Sequence, residues 1–147
     1  MKVLLLNGSP RKEGCTFTAL SEVAKTLNHN GIDTEIFQAG NPDTDNVKAA
    51  AAKLKEADAL IVGSPVYWAS PSGQIIEFMD KLCSMAGKDM LHKPAAAVAS
   101  ARRAGTTATL DVLQKYFSYH EMPVVSANYL SLIHISEPTR LRCISYA

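Results

Sequence analysis

The spacing of apolar residues in this chain switches repeatedly between two periods, and that alternation constrains its fold more than any other feature. Residues 3–6 are a short continuous apolar run, suited to a strand. Phe17, Leu20, Ala24 and Leu27 then follow the i, i+3, i+7, i+10 stripe of a helix, and Asn30-Gly31 supplies its stop signal. Residues 34–37 read as a second strand. Asp43 or Thr44 caps a second helix carrying Val47, Ala50, Ala51 and Leu54 on one face. Residues 59–63 form an apolar run expected of a strand buried on both faces. Ile75, Phe78, Met79 and Leu82 mark a third helix, and residues 95–99 an alanine-rich fourth strand. Leu110, Leu113 and Phe117 mark a fourth helix begun near Thr106 or Thr107, and residues 122–126 a fifth strand. Strict β-α alternation without an internal repeat predicts an α/β domain with a parallel sheet covered on both faces.

Of the common doubly wound arrangements, the flavodoxin-like order 2-1-3-4-5 suits five strands. Ligands of such sheets bind beyond the C-terminal strand ends. Three loops meet there: residues 7–16, 64–74 and 100–107.

The first loop, Asn7-Gly8-Ser9-Pro10-Arg11-Lys12-Glu13-Gly14-Cys15-Thr16, joins a strand to a helix N-terminus. Free N–H groups and the helix dipole favour an anion there. Ser9 and Thr16 offer hydroxyls, and Arg11 a planar fork suited to phosphate. The loop lacks the Gly-Lys-Ser/Thr of a Walker A motif and the G-x-G-x-x-G of a dinucleotide fingerprint. It therefore suggests the phosphate of a mononucleotide; the plainer alternative is an ordinary strand-to-helix turn. The second loop places Tyr67 and Trp68 between Pro65 and Pro71 at a strand exit. Planar rings favour a flat partner, and prolines reduce the entropy lost on binding. Trp68 could equally cover a core edge or a subunit interface. The third loop sets Arg102, Arg103 and Gly105 between a strand and a helix. These cations could stabilise charge on a reduced ring, or could be a solvated pair beside a Thr106 cap. Phosphate cradle, aromatic shelf and cationic rim together fit one ligand: FMN.

The same residues resemble the NADPH-dependent FMN reductase family, the flavodoxin-like NAD(P)H:acceptor oxidoreductases. The resemblance rests on Leu6-Asn7-Gly8-Ser9-Pro10-Arg11, Gly14-Cys15-Thr16, Gly63-Ser64-Pro65-Val66-Tyr67-Trp68, Pro71-Ser72-Gly73-Gln74 and the run from Ser100 to Thr107, and covers residues 1–129. It implies that Ser9, Arg11, Gly14, Cys15 and Thr16 hold the FMN phosphate. Pro65, Val66, Tyr67 and Trp68 would line the ribityl chain and isoalloxazine, and Ser100, Arg102, Arg103 and Gly105 would approach the far ring edge. It implies hydride uptake from NADPH or NADH and electron delivery to a small acceptor: a quinone, flavin, nitro or azo compound. It also implies a homodimer or homotetramer. Residues 38–58 contain no cysteine, so the cluster of the related iron–sulfur flavoproteins is not supported and no metal is expected. A flavodoxin-type carrier without nicotinamide turnover is the rival reading; such carriers are usually strongly acidic.

The net charge of +1 argues against a nucleic-acid or membrane partner. The N-terminus carries no signal-peptide pattern, and Cys15, Cys83 and Cys143 lie far apart. Both fit a cytoplasmic chain without structural disulfides. Residues 130–140, Leu-Ser-Leu-Ile-His-Ile-Ser-Glu-Pro-Thr-Arg, read as a translated transposase adapter of the kind used in sequencing-library preparation. Residues 130–147 are therefore expected to be an artefactual tail on a domain of residues 1–129, truncated before its last helix.

Overall fold

The computed structural model describes residues 1–125. The elements run β1 (Lys2–Asn7), α1 (Cys15–His29), β2 (Asp33–Gln38), α2 (Thr44–Glu56), β3 (Ala59–Tyr67), β4 (Ser70–Pro71), α3 (Gly73–Ala86), β5 (Ala95–Ser100) and α4 (Thr106–Tyr119), with a 3-10 turn at Gly87–Asp89. Strands β2, β1, β3 and β5 lie side by side, all parallel. Beyond β5, Val124 bridges Ala95 in parallel. The Ala95 N–H donates to Pro123 O (2.9 Å) and the Val125 N–H to Ala95 O (2.7 Å). In order of the five expected strands this is 2-1-3-4-5, the flavodoxin-like arrangement. Only this bridge represents the fifth strand among the described residues. The expected truncation and the tail at 130–147 lie outside them.

Period-two alternation sorts the sheet into two faces. Leu4, Leu6, Leu60 and Val62 point to one face, where Val47 and Leu54 of α2, Phe78 and Leu82 of α3, and Leu113 and Phe117 of α4 close over them. Val3, Leu5, Ala59 and Ile61 point to the other, where α1 brings Leu20 and Ala24. At the strands' N-terminal end, Glu35 on β2 pairs with Lys53 and with Lys2 (3.3 Å). The Lys53 contact chiefly lowers its carboxyl pKa below the ordinary 4.5.

The expected loop after β3 is partly regular. β3 continues to Tyr67, turns through Trp68 and Ala69, and returns as β4, pairing Tyr67 with Ser70 and Val66 with Pro71. Trp68 (φ 53°) and Ala69 (φ 59°) both have positive φ, the sign pattern of a type I′ hairpin turn. Neither residue favours that region, so the usual Asn-Gly signal of such a turn is missing.

Candidate functional site

Register places the C-terminal ends of the strands. Asn7 lies opposite Gln38 of β2 and Gly63 of β3, and Pro65 opposite Ser100 of β5. The three predicted loops emerge from these ends and are pinned to one another in pairs. Ser72 Oγ donates to Gly8 O (2.9 Å), joining the second loop to the first. Thr16 Oγ1 and Ser100 Oγ, both buried, share a hydrogen bond of 2.7 Å that joins the first loop to the third. Gly105 joins the third to the second by close approach. A Cβ there would lie 2.7 Å from Ala69 Cα and 2.9 Å from Val66 Cγ1, and its φ of +110° also favours glycine.

Within the first loop, the Gly8 N–H is used by Gly63 O (2.8 Å) and the Ser9 N–H by Asn7 Oδ1 (3.2 Å). Ser9 Oγ accepts from the Arg11 N–H (3.1 Å), which leaves the hydroxyl proton for another acceptor. Gly14 is the N-cap of α1 and no side chain caps it. The N–H groups of Gly14, Thr16 and Phe17 have no acceptor among the described residues. Orphan donors at a helix start favour an anion. The Arg11 side chain is exposed beside them.

Cys15 is disulfide-bonded, which corrects the expectation of a chain without disulfides; its partner lies outside the described residues. Spacing along the sequence could not show this pairing. Cys83 is the free cysteine among the described residues. It lies in α3, where burial pushes its thiol up to about 12, so it is a packing group rather than a nucleophile.

The second loop presents Tyr67 at 43% exposure and Trp68 at 101%. The Trp68 ring therefore covers no core edge. Pro65 and Val66 are half-buried at the end of β3. In the third loop Arg102 and Arg103 are exposed and Ser100 is buried. Gly105, not Thr106, is the N-cap of α4. The buried Thr106 Oγ1, in the first turn of α4, has no hydrogen-bond partner among the described residues. A groove of about 480 Å³ lined by Asp80, Ser84, Val112 and Tyr119 lies between α3 and α4, and no predicted site residue reaches it. The three loops form an open edge instead.

Four residues outside the predicted set hold this edge together. Asn7 and Gln38 brace the first loop, and Ser64 and Ser72 the second. Their signal in the sequence is a polar residue beside an apolar strand. Among the described residues no helix is long and apolar enough to cross a membrane, and no group of three or more His, Cys, Asp or Glu converges.

Comparison with known proteins gives the family and the fold. The profile of the NADPH-dependent FMN reductase family matches residues 1–137. An iron–sulfur flavoprotein of Methanocaldococcus jannaschii is 32% identical, over 87% of this chain and 77% of its own length. The FMN reductase (NADPH) of Escherichia coli is 33% identical over 56% of this chain and 48% of its own. Among solved structures, an NADH:FMN oxidoreductase in its apo form superposes with a TM-score of 0.70 at 23% identity, covering 85% of this chain and 72% of that one. An archaeal flavodoxin superposes at 0.69 with 18% identity, covering 86% and 80%.

Proposed function

This chain belongs to the NADPH-dependent FMN reductase family, and from that premise we propose that it takes hydride from NAD(P)H on FMN held across the three loops and passes electrons to a small acceptor. The observation that supports this most is the pairwise pinning of those loops around the orphan N–H groups of α1. The residues fit the group. Gly14, Thr16 and Phe17 offer unclaimed N–H donors, Ser9 an available hydroxyl proton and Arg11 a fork for a phosphate. Tyr67 and Trp68 offer exposed rings to a flat partner, and Thr106 Oγ1 an unpartnered polar atom. When bound, FMN supplies the hydride acceptance and the onward electron transfer.

The chain's own work is placement and electrostatics. The α1 N-terminus holds the phosphate. Pro65 and Val66 fix the β3 exit, and Gly105 keeps the third loop against the hairpin. Arg102 and Arg103 put positive charge on the rim, where it favours a reduced, anionic ring. Charge-assisted hydrogen bonds at about 1.5–3 kcal/mol each, with ring burial, suffice for micromolar affinity. The acceptor is proposed as a class only: quinone, flavin, nitro or azo compound. A homodimer or homotetramer is proposed with it, since a fully exposed tryptophan suits a surface that a second copy covers. Residues 38–58 contain no cysteine, so the cluster named in the iron–sulfur relatives is not proposed for this chain.

The test is a visible spectrum of the purified chain mixed with FMN and desalted, before and after anaerobic NADPH. Retained yellow colour that bleaches is the expected result. Colour that persists under NADPH would favour the electron-carrier reading. No colour, in a sample whose circular dichroism shows it folded, would discard FMN.

A further inference from the structure

An anion-binding loop has two tasks. It must present N–H groups, and it must keep its carbonyl oxygens away from the anion. The first is met by the α1 N-terminus. The second points to residues that touch no ligand. Ser9 precedes Pro10, so the peptide between them has no N–H. If that peptide rotates towards a phosphate, it can offer only a carbonyl oxygen, which repels.

Two amide side chains hold the carbonyls of this loop by hydrogen bonds. Gln38 Nε2 donates to Ser9 O at 2.5 Å, fixing that carbonyl towards β2. Asn7 Nδ2 donates to Lys12 O at 3.2 Å, and also to Gln38 Oε1 at 2.8 Å. Asn7 is fully buried and its Oδ1 accepts the Ser9 N–H, so both ends of its amide are used. Gly40 closes the arrangement: a Cβ there would lie 2.0 Å from Ser9 O. The Ala39 N–H, between them, donates to Asn7 O at 2.8 Å.

We infer that Asn7 and Gln38 are positioning residues for phosphate recognition, turning the Ser9 and Lys12 carbonyls away from the phosphate and so setting the protein's preference for FMN over riboflavin. The inference rests on the FMN reading above and deepens it. Neither side chain contacts the flavin. Both act through the loop backbone, and Gly40 admits the β2 exit that carries one of them.

The test compares FMN with riboflavin, which lacks the phosphate, by fluorescence titration of the full chain. The variant is Gln38→Met, similar in length, uncharged and unable to donate to Ser9 O. FMN should bind about tenfold more weakly, as expected for loss of a partly buried hydrogen bond. Riboflavin should change by less than about twofold, because the loop's contribution is absent from its affinity in both proteins. Gly40→Ala, which pushes on the Ser9 carbonyl from the β2 side, should show the same selective loss. Equal weakening of both flavins would assign Gln38 a general structural role and overturn the inference. Unchanged FMN affinity in both variants would also overturn it. A folded wild-type chain that binds neither flavin would overturn the FMN reading itself, and this inference with it.

Discussion

One buried residue, Ser72, ties three structures together. Its Oγ donates to Gly8 O (2.9 Å), latching the phosphate loop, and accepts the Ile75 N–H (3.4 Å), capping α3. Its own N–H donates to Ser64 Oγ at 3.1 Å, which holds the hairpin exit. Ser72→Ala keeps the last bond and removes the first two. A lost cap plus a buried carbonyl without its donor costs about 1–3 kcal/mol. The urea midpoint should fall accordingly. A midpoint matching the wild type would show that water satisfies Gly8 O equally well. At this scale the sequence was half legible. Ser9, Thr16 and Gly105 stand out because loop chemistry marks them locally, whereas Ser100 enters only through the family resemblance. Asn7 with Gln38, and Ser72 with Gly8, are separated by 31 and 64 positions. No spacing rule relates such pairs; only the parallel register brings them together.

Elements were more legible, because each repeats a period over several residues. All four helices form where apolar stripes predict them, β1, β3 and β5 where apolar runs do, and β2 over the short segment read as the second strand. The missed element is the β3–β4 hairpin, for a physical reason. Its turn places Trp68 and Ala69 at positive φ, a region whose usual occupants are Gly, Asn and Asp. The surroundings impose that geometry: Ser72 and Ser64 fix the hairpin exit, and Gly105 lies against Ala69. Backbone strain held by its neighbours is a feature of functional loops. Ala69→Gly should relieve it. The left-handed region costs an L residue roughly 1–2 kcal/mol, and the added freedom of the unfolded chain returns about 0.4–1 kcal/mol of that. A net gain of about 0.5–1 kcal/mol in chemical denaturation follows. A loss would mean that the Ala69 methyl packs on the third loop more tightly than its conformation costs.

Across the whole molecule, the sheet's two faces are unequally covered among the described residues. One carries α2, α3 and α4. The other carries α1, and there Ala96 and Val98 of β5 are only partly buried. Stability therefore leans on the well-covered face, while the candidate site sits at the strand ends, where three loops are joined by single hydrogen bonds and one close approach. A ligand spanning those loops would add the ties that the open edge lacks. It would bind the folded chain and not the unfolded one, so its effect on melting follows from mass action. FMN at a hundred times its dissociation constant adds about 2.7 kcal/mol. For a chain of this size each kcal/mol is worth roughly 2–4 °C. The melting temperature should thus rise by about 5–10 °C with FMN, and by less with riboflavin at the same concentration. Equal shifts for the two flavins would place the binding energy in the ring contacts of Tyr67 and Trp68 and remove the phosphate loop from the site. No shift with either, from a cooperative melt, would separate the fold from the function its family implies.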